Sequence, residues 1–482
     1  MSQEPVLPVL TDFVPQAAGR RRVRLPVLEA RGGDHATIYY FLQSVFQGPS
    51  RAEFHASLRD PFYEPCDRLL LWQKRRIAAH AHLTHRTMHF GSATIPVAGL
   101  TGLGVAPEHR NQGLGTHLLR AAESRMAIGG ALVGVLRTSL PHFFRRSGWA
   151  LCGQASCRRA DARALLARLL ARGLIPRPRR RLHIRPWLQW EQAGLARLYN
   201  QNVLPVGTDH AGSAAGDAAM AGWRGPLGHQ PHASRAIAYG PLERTSSYWH
   251  WLVNRHGYDQ LYVALDGPQQ LELGEISTRI VGYAVTRGEQ ILELMAAPDC
   301  PRAAVELLAR CCGDAIEHDR HCVLLHAPPW SPLFEIFDEA GGCGPPRAAE
   351  REVYMMRLLD PLELLRQLCD QFERRAAAAH LSRPLDLGLL REGQKFQLEL
   401  GRDGVAATSQ RLGRSYLRLN VADFTRLVLG QLDWEAAIVD GRLECSTALA
   451  REAGRVLFPA IPLWRPPWDD APAIADQIAE GE

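Results

Sequence analysis

The sequence predicts an α/β (α+β) fold: two successive mixed sheets with flanking helices, then a small third α+β unit. Three observations predict it. An apolar run over residues 97–105 enters the turn Arg110-Asn111-Gln112-Gly113-Leu114-Gly115 and leaves through an amphipathic segment over 116–128. A similar order of strands, helix, strand and helix returns over 248–339. Near the C-terminus, residues 396–400 and 416–419 alternate apolar and polar side chains with period two, as half-buried strands do.

At 482 residues the chain exceeds one ordinary core, and the pattern divides it into three units. The first, over 1–175, starts with a short strand at 27–30 and a helix at 39–46. Strands at 69–72 and 78–83 lead to the glycine turn. Leu118, Leu119, Ala122 and Met126 then recur near helical spacing. A strand at 131–137, a closing strand at 149–156 and a helix at 161–172 complete the unit. The stretch 175–181, Ile-Pro-Arg-Pro-Arg-Arg-Arg, reads as a linker.

A second unit covers 182–358, with an insertion near 207–238 rich in Gly, Ala, Ser and His. Strands are expected at 261–265, 280–285, 291–295 and 322–326, and helices at 302–317 and 333–339. The third unit, over 360–475, adds a helix at 422–429 capped by Gly430 and another at 451–458. An extended, tryptophan-containing stretch follows at 459–467, and a short exposed helix at 473–482.

Hydrophobic content of 46% and charged content of 22% describe globular material. No apolar run approaches the roughly 18 residues of a membrane span, and residues 1–22 lack the unbroken apolar core of a signal peptide. The ten cysteines show no framework spacing, so free thiols and a cytoplasmic location are expected. The formal charge is only +6, and lysine occurs only at 74 and 395. Arginine clusters such as 177–181 lack interleaved aromatics and a recognition helix, which argues against nucleic acid. Neither a membrane partner nor a metal is expected.

The glycine turn carries the chemistry. Its glycines let the backbone come close and turn freely, and N–H groups there and in the first helical turn point at an anion. Pro107, three residues before Arg110, ends the strand. Farther on, Phe143-Phe144-Arg145-Arg146-Ser147-Gly148-Trp149 places an aromatic pair before a glycine and a third aromatic. In the second unit the matching stretch is Ala296-Ala297-Pro298-Asp299-Cys300-Pro301-Arg302. It has no glycine turn, and Pro301 removes a donor.

The loop and the aromatic pattern resemble the GNAT N-acetyltransferases, whose corresponding loop holds the pyrophosphate of acetyl-CoA. An intact unit, a loop-degenerate copy and a small sheet-and-helix unit in series resemble the enhanced intracellular survival (Eis) family. In that family the third domain is sterol-carrier-like, and residues 424–430 match its helix. The resemblance implies acetyl-CoA as donor, an amine acceptor and a homo-oligomer such as a hexameric ring. It implies that backbone groups of Leu103, Gly104 and Val105 pair with the pantetheine arm. Arg110, Asn111, Gln112, Gly113, Leu114, Gly115 and Thr116 would hold the pyrophosphate, with Ser139 beside the acyl end.

Two positions depart from the family pattern. Phe144 occupies the place of the usual acid, a tyrosine, and has no hydroxyl. His142 and Ser139 are the nearby candidate catalytic residues, with ordered water as the alternative. The chain also runs past Trp464 to Glu482, so the family's use of a terminal carboxylate as base is not carried over; Asp469 and Asp470 are possible replacements. The expected function is transfer of acetyl from acetyl-CoA to a primary amine: a small polyamine, an aminoglycoside-like compound or a protein lysine. The competing expectation is a non-catalytic protein that senses acetyl-CoA or holds a lipid in its third unit. If no lipid is held there, the apolar face of that unit should pack on its neighbours.

Overall fold

The structure is a computed structural model and describes residues 25–153, 156–175, 182–204, 239–266, 279–344 and 353–471. Residues 176–181 of the linker expected at 175–181, the insertion near 207–238 and the helix at 473–482 lie outside the described residues. From the N-terminus run β1 (Val27–Glu29), α1 (His35–Phe46), α2 (Arg51–Leu58), β2 (Arg68–Gln73), β3 (Arg76–Phe90) and β4 (Ala93–Val105). Next come α3 (Leu114–Ile128), β5 (Val133–Thr138), α4 (Pro141–Arg145), β6 (Ala150–Leu151), β7 (Cys157–Asp161) and α5 (Ala162–Ala171). The middle of the chain forms β8 (His183–Pro186), α6 (Gln192–Val203), β9 (Tyr239–Leu242), α7 (Ser246–Asn254), β10 (Gln260–Asp266), β11 (Arg279–Arg287) and β12 (Gln290–Ala296). It continues with α8 (Arg302–Glu317), β13 (Cys322–His326), α9 (Leu333–Glu339) and β14 (Val353–Leu358).

The strands do not sort by position in the chain. The first sheet has the order β1-β2-β3-β4-β5-β14-β6, with β9 added beside β3. The second has the order β7-β13-β12-β11-β10-β8. Thus β7 pairs with β13 from Asp161↔Cys322 to Cys157↔His326, and Leu165 and Leu169 of α5 lie in the second core. The helix expected at 161–172 in the first unit therefore packs with the second. In return, β14 lies between β5 and β6. β14 has taken the edge of β5, and of the closing strand expected at 149–156 only Ala150–Leu151 is strand among the described residues.

The third unit consists of α10 (Pro361–Gln367), α11 (Cys369–Ala378), β15 (Leu385–Arg391), β16 (Gln394–Leu400), β17 (Val405–Ser409), β18 (Tyr416–Leu419), α12 (Val421–Val428), α13 (Trp434–Val439), β19 (Leu443–Cys445) and α14 (Ala448–Leu457). Its strands order as β17-β16-β15-β18-β19. Phe372, Leu387, Phe424 and Leu457 share one buried core with Met88, Phe90 and Val97 of the first sheet. Burial of this apolar surface couples the two units. All ten cysteines are free thiols, and no described helix is long and apolar enough to cross a membrane.

Candidate active site

Strand β4 builds the site by changing partners along its length. It pairs in parallel with β5 only from Val97↔Val133 to Leu100↔Leu136. Beyond Leu100 the two strands no longer pair. On the other side the register with β3 shifts between His80 and His82, which marks a β-bulge around Gly102. Gly102 takes φ +56°, and the buried His80 ring holds its carbonyl at 2.9 Å from Nδ1.

After Val105 a short turn, Pro107–His109, redirects the chain into the loop. Asn111 and Gly113 have φ of +61° and +83°, and Gly113 is the N-cap of α3. The left-handed conformation at Gly113 favours glycine. The backbone N–H of His109 bonds to Ala106 and that of Arg110 to Pro107. Among the described residues no acceptor takes the N–H groups of residues 111–116. Consecutive free donors at the N-terminus of a fifteen-residue helix have the chemistry to receive an anion.

A cleft of about 1360 Å³ opens where β4 and β5 part. Leu103, Val105, Arg110, Asn111 and Gly113 line it, as do Leu114, Gly115, Thr116 and Ser139. Three expected residues stand outside the lining. Gly104 is buried under α1, where an added Cβ would come within 2.8 Å of the Phe46 ring. Gln112 is exposed and its side chain bonds to the Glu108 carbonyl. His142 is exposed on α4. Phe144 lines the cleft and is held edge-on between Phe143, at 4.9 Å, and the buried Trp149, at 6.1 Å. Trp149 is fixed in turn by donating from Nε1 to Glu123 at 2.7 Å.

Residues with no local sequence signature complete the walls. From β3 come His82, Thr84 and Arg86. The His82 ring lies 3.2 Å from the Thr101 hydroxyl. Burial, reinforced by Arg68 and other cationic neighbours, holds His82 well below the usual histidine range, so it is neutral at pH 7. Arg86 pairs with Asp60 and lies over the neighbouring Phe62 and Tyr248 rings.

The second unit contributes Tyr248, Trp251 and Arg255, and the C-terminal segment contributes Arg465, Asp469 and Asp470. Both aspartates already have arginine partners. Asp469 accepts from Arg244 at 3.0 Å and from the Tyr248 hydroxyl at 3.2 Å. Asp470 accepts from Arg465 at 2.6 Å. Arg244 is fully buried, also holds Glu293 of β12 in a two-pronged contact, and is flanked by the Tyr199, Trp249 and Trp468 rings. Arg255 donates to the Trp468 and Asp469 carbonyls. This cluster clamps residues 467–470 against the second sheet. The available signals were the aromatic density of 248–251 and the paired tryptophans and aspartates of 464–470.

Residues 27–152 match the family model of an acetyltransferase (GNAT) domain, the catalytic unit of an acyl-transferring enzyme. A search of curated proteins finds no match. The chain is similar in structure to a GCN5-related N-acetyltransferase from Anabaena variabilis, with TM-score 0.64 and 14% identity, covering 92% of this chain and 99% of that one. One from Kribbella flavida gives 0.62 and 17%, with the same coverage. Eis1 from Mycobacterium abscessus gives 0.58 and 16%, again over 92% and 99%. At these identities the likeness establishes the shared fold.

Proposed function

We propose that this chain transfers acetyl from acetyl-CoA to a primary amine by direct attack. The unsatisfied N–H groups of residues 111–116 beside a parted pair of strands support the reading most strongly. A pyrophosphate suits those donors, and the unpaired edge of β4 at Leu103–Val105 suits the amide-bearing pantetheine arm. Ser139, just beyond β5 and across the opening from β4, suits the acyl end.

In the reaction the amine nitrogen forms a bond to the thioester carbon, and the carbonyl π pair moves onto oxygen. Collapse of that oxyanion breaks the C–S bond. The nitrogen gives up one proton and the thiolate takes one, yielding the amide and free CoA. Deprotonating an alkylammonium at pH 7 costs about 4–5 kcal/mol, which solvent or a base in the cleft must supply. Phe144 offers no proton, and His142 stands outside the cleft. His82, Thr101 and Ser139, together with water, are among the polar groups of the cleft that suit the two transfers. Positioning then carries much of the rate.

Calorimetric titration with acetyl-CoA, followed by thiol release over a panel of polyamines, aminoglycosides and lysine peptides, tests this. Binding with turnover on one class is expected. Tight binding without turnover on any amine would overturn catalysis in favour of acetyl-CoA sensing. The core shared by the third unit and the first sheet favours a scaffolding role for that unit over lipid carriage.

A further inference from the structure

We infer that Arg68 and His80 form a buried relay that polarises the Gly102–Leu103 peptide, so that the Leu103 N–H stabilises the acetyl oxygen as it becomes negative. The inference rests on acetyl-CoA being the donor.

Arg68 is only 2% exposed, yet none of its hydrogen-bond partners is a carboxylate. Its guanidinium contacts the Tyr63 hydroxyl at 3.2 Å, the Ser57 hydroxyl at 3.0 Å and His80 Nε2 at 3.3 Å, and lies over the Phe54 and Tyr63 rings. A guanidinium stays charged and only donates. The charge of Asp67 acts on it only from a distance, and a buried cation with no carboxylate in hydrogen-bond contact is costly and calls for an explanation.

The chemistry of its neighbours fixes the direction of the relay. Arg68 can only donate, so His80 Nε2 accepts. The hydrogen of the neutral ring therefore sits on Nδ1, which donates to the Gly102 carbonyl at 2.9 Å. Burial, assisted by Arg68, pushes the His80 pKa down to about 3, so this tautomer persists at neutral pH. The positive charge thus acts through the imidazole on one peptide group, and hydrogen bonds in such a chain strengthen one another.

That peptide is the one at the bulge. In a trans peptide the C=O and the following N–H point in opposite directions. The Gly102 carbonyl is turned toward His80 on β3, so the Leu103 N–H is turned away from β3. On that side β5 has already ceased to pair and the cleft opens beside Leu103. A donor fixed in advance and sharpened by a buried cation is suited to an oxyanion. Arg68 and His80 touch no substrate in this scheme; they are positioning residues.

The test uses the full chain and three variants. Arg68→Met keeps the stem and removes the charge. His80→Asn keeps a donor for the Gly102 carbonyl, and His80→Phe removes it. CoA, which has no acetyl oxygen, serves as the binding control. Arg68→Met is expected to lower kcat about tenfold and His80→Phe about a hundredfold, both with unchanged Kd for CoA. His80→Asn is expected to restore most of the loss. In the double variant Arg68→Met/His80→Phe, kcat should fall no further than in His80→Phe alone, because the relay is already cut.

Infrared spectra of bound acetyl-CoA labelled at the carbonyl carbon provide a readout independent of turnover. The carbonyl stretch should lie lower in the wild type than in Arg68→Met. The inference is overturned if wild type turns over but Arg68→Met leaves both kcat and the stretch unchanged. Equal losses in His80→Asn and His80→Phe, or a parallel loss of CoA affinity, would also overturn it. Failure of the wild type to bind acetyl-CoA would instead refute the donor assignment.

Discussion

Two strand-to-helix junctions invite comparison: β4 into α3 in the first sheet, and β12 into α8 in the second. Both follow a strand that pairs in parallel with a later neighbour at only a few positions. In the first junction the N–H groups of residues 111–116 find no acceptor among the described residues. In the second, Cys300 donates to Ala297, Ala303 to Cys300 and Ala304 to Pro301, while Pro301 has no N–H to offer. The layout is shared, but the supply of free donors differs. A sheet architecture thus does not supply free donors by itself; the loop must leave its peptides unsatisfied.

The strands differ in the same sense. The far end of β4 borders a cleft, whereas Glu293 of β12 is locked to Arg244 and, through it, to Asp469. Substituting Arg244 tests that contrast most forcefully. Arg244→Ala leaves two buried carboxylates uncompensated and should cost about 3–5 kcal/mol in a urea titration. An unchanged midpoint would show that the second sheet needs no clamp. Next in size is Gly113→Val, which forces a β-branched residue to φ +83° and should weaken CoA binding roughly 10–100-fold. Pro301→Gly, which returns a donor to the second loop, should leave CoA stoichiometry at one per chain. Two sites by calorimetry would erase the distinction between the loops.

Acid should bear on the scaffold behind β4. His80 has a folded value near 3, below its unfolded value near 6.5, so the unfolded chain takes up the proton first. Its contribution is intact above pH 6.5 and declines as pH falls, by up to about 1.4 kcal/mol per pH unit. Stability curves of wild type and His80→Asn should converge toward acid; parallel curves would show that His80 does not report on folding. A modest effect is expected at Phe144. Phe144→Tyr adds a hydroxyl to a side chain that lines the cleft, and should raise kcat by no more than about tenfold. A fall in kcat would argue that the close packing against Phe143 and Trp149 matters more than proton supply.

The first junction was legible because its signals are local: an apolar run, Pro107, Gly113 and a helical period. The absence of donors at Pro301 was equally plain. The exchange of β7, β9 and β14 between sheets was not legible, because pairing across distant segments leaves no mark in local periodicity. Cys157 and Val353 look like ordinary strand residues wherever they pair. His80 and Arg68 carried no signal either, since a histidine and an arginine in apolar strands specify no partner until the bulge at Gly102 brings them together. The tail misled for a similar reason. Asp469 looked like a spare carboxylate, and only the buried Arg244 shows it to be engaged.

The placement of β14 has a consequence for biosynthesis. An interior strand of the sheet that carries the proposed reaction is encoded about two hundred residues after β6, its neighbour on one side. At ribosomal speeds this means a wait on the order of 10–40 s during which the edge of β5 has no permanent partner. A nascent chain in that interval presents an open strand edge, the feature that invites mispairing. Fragments ending at residue 152 would preserve every loop of the proposed donor site and still lack the strand that closes its sheet, so the smallest heritable unit of the proposed activity is longer than the segment that bears its motifs.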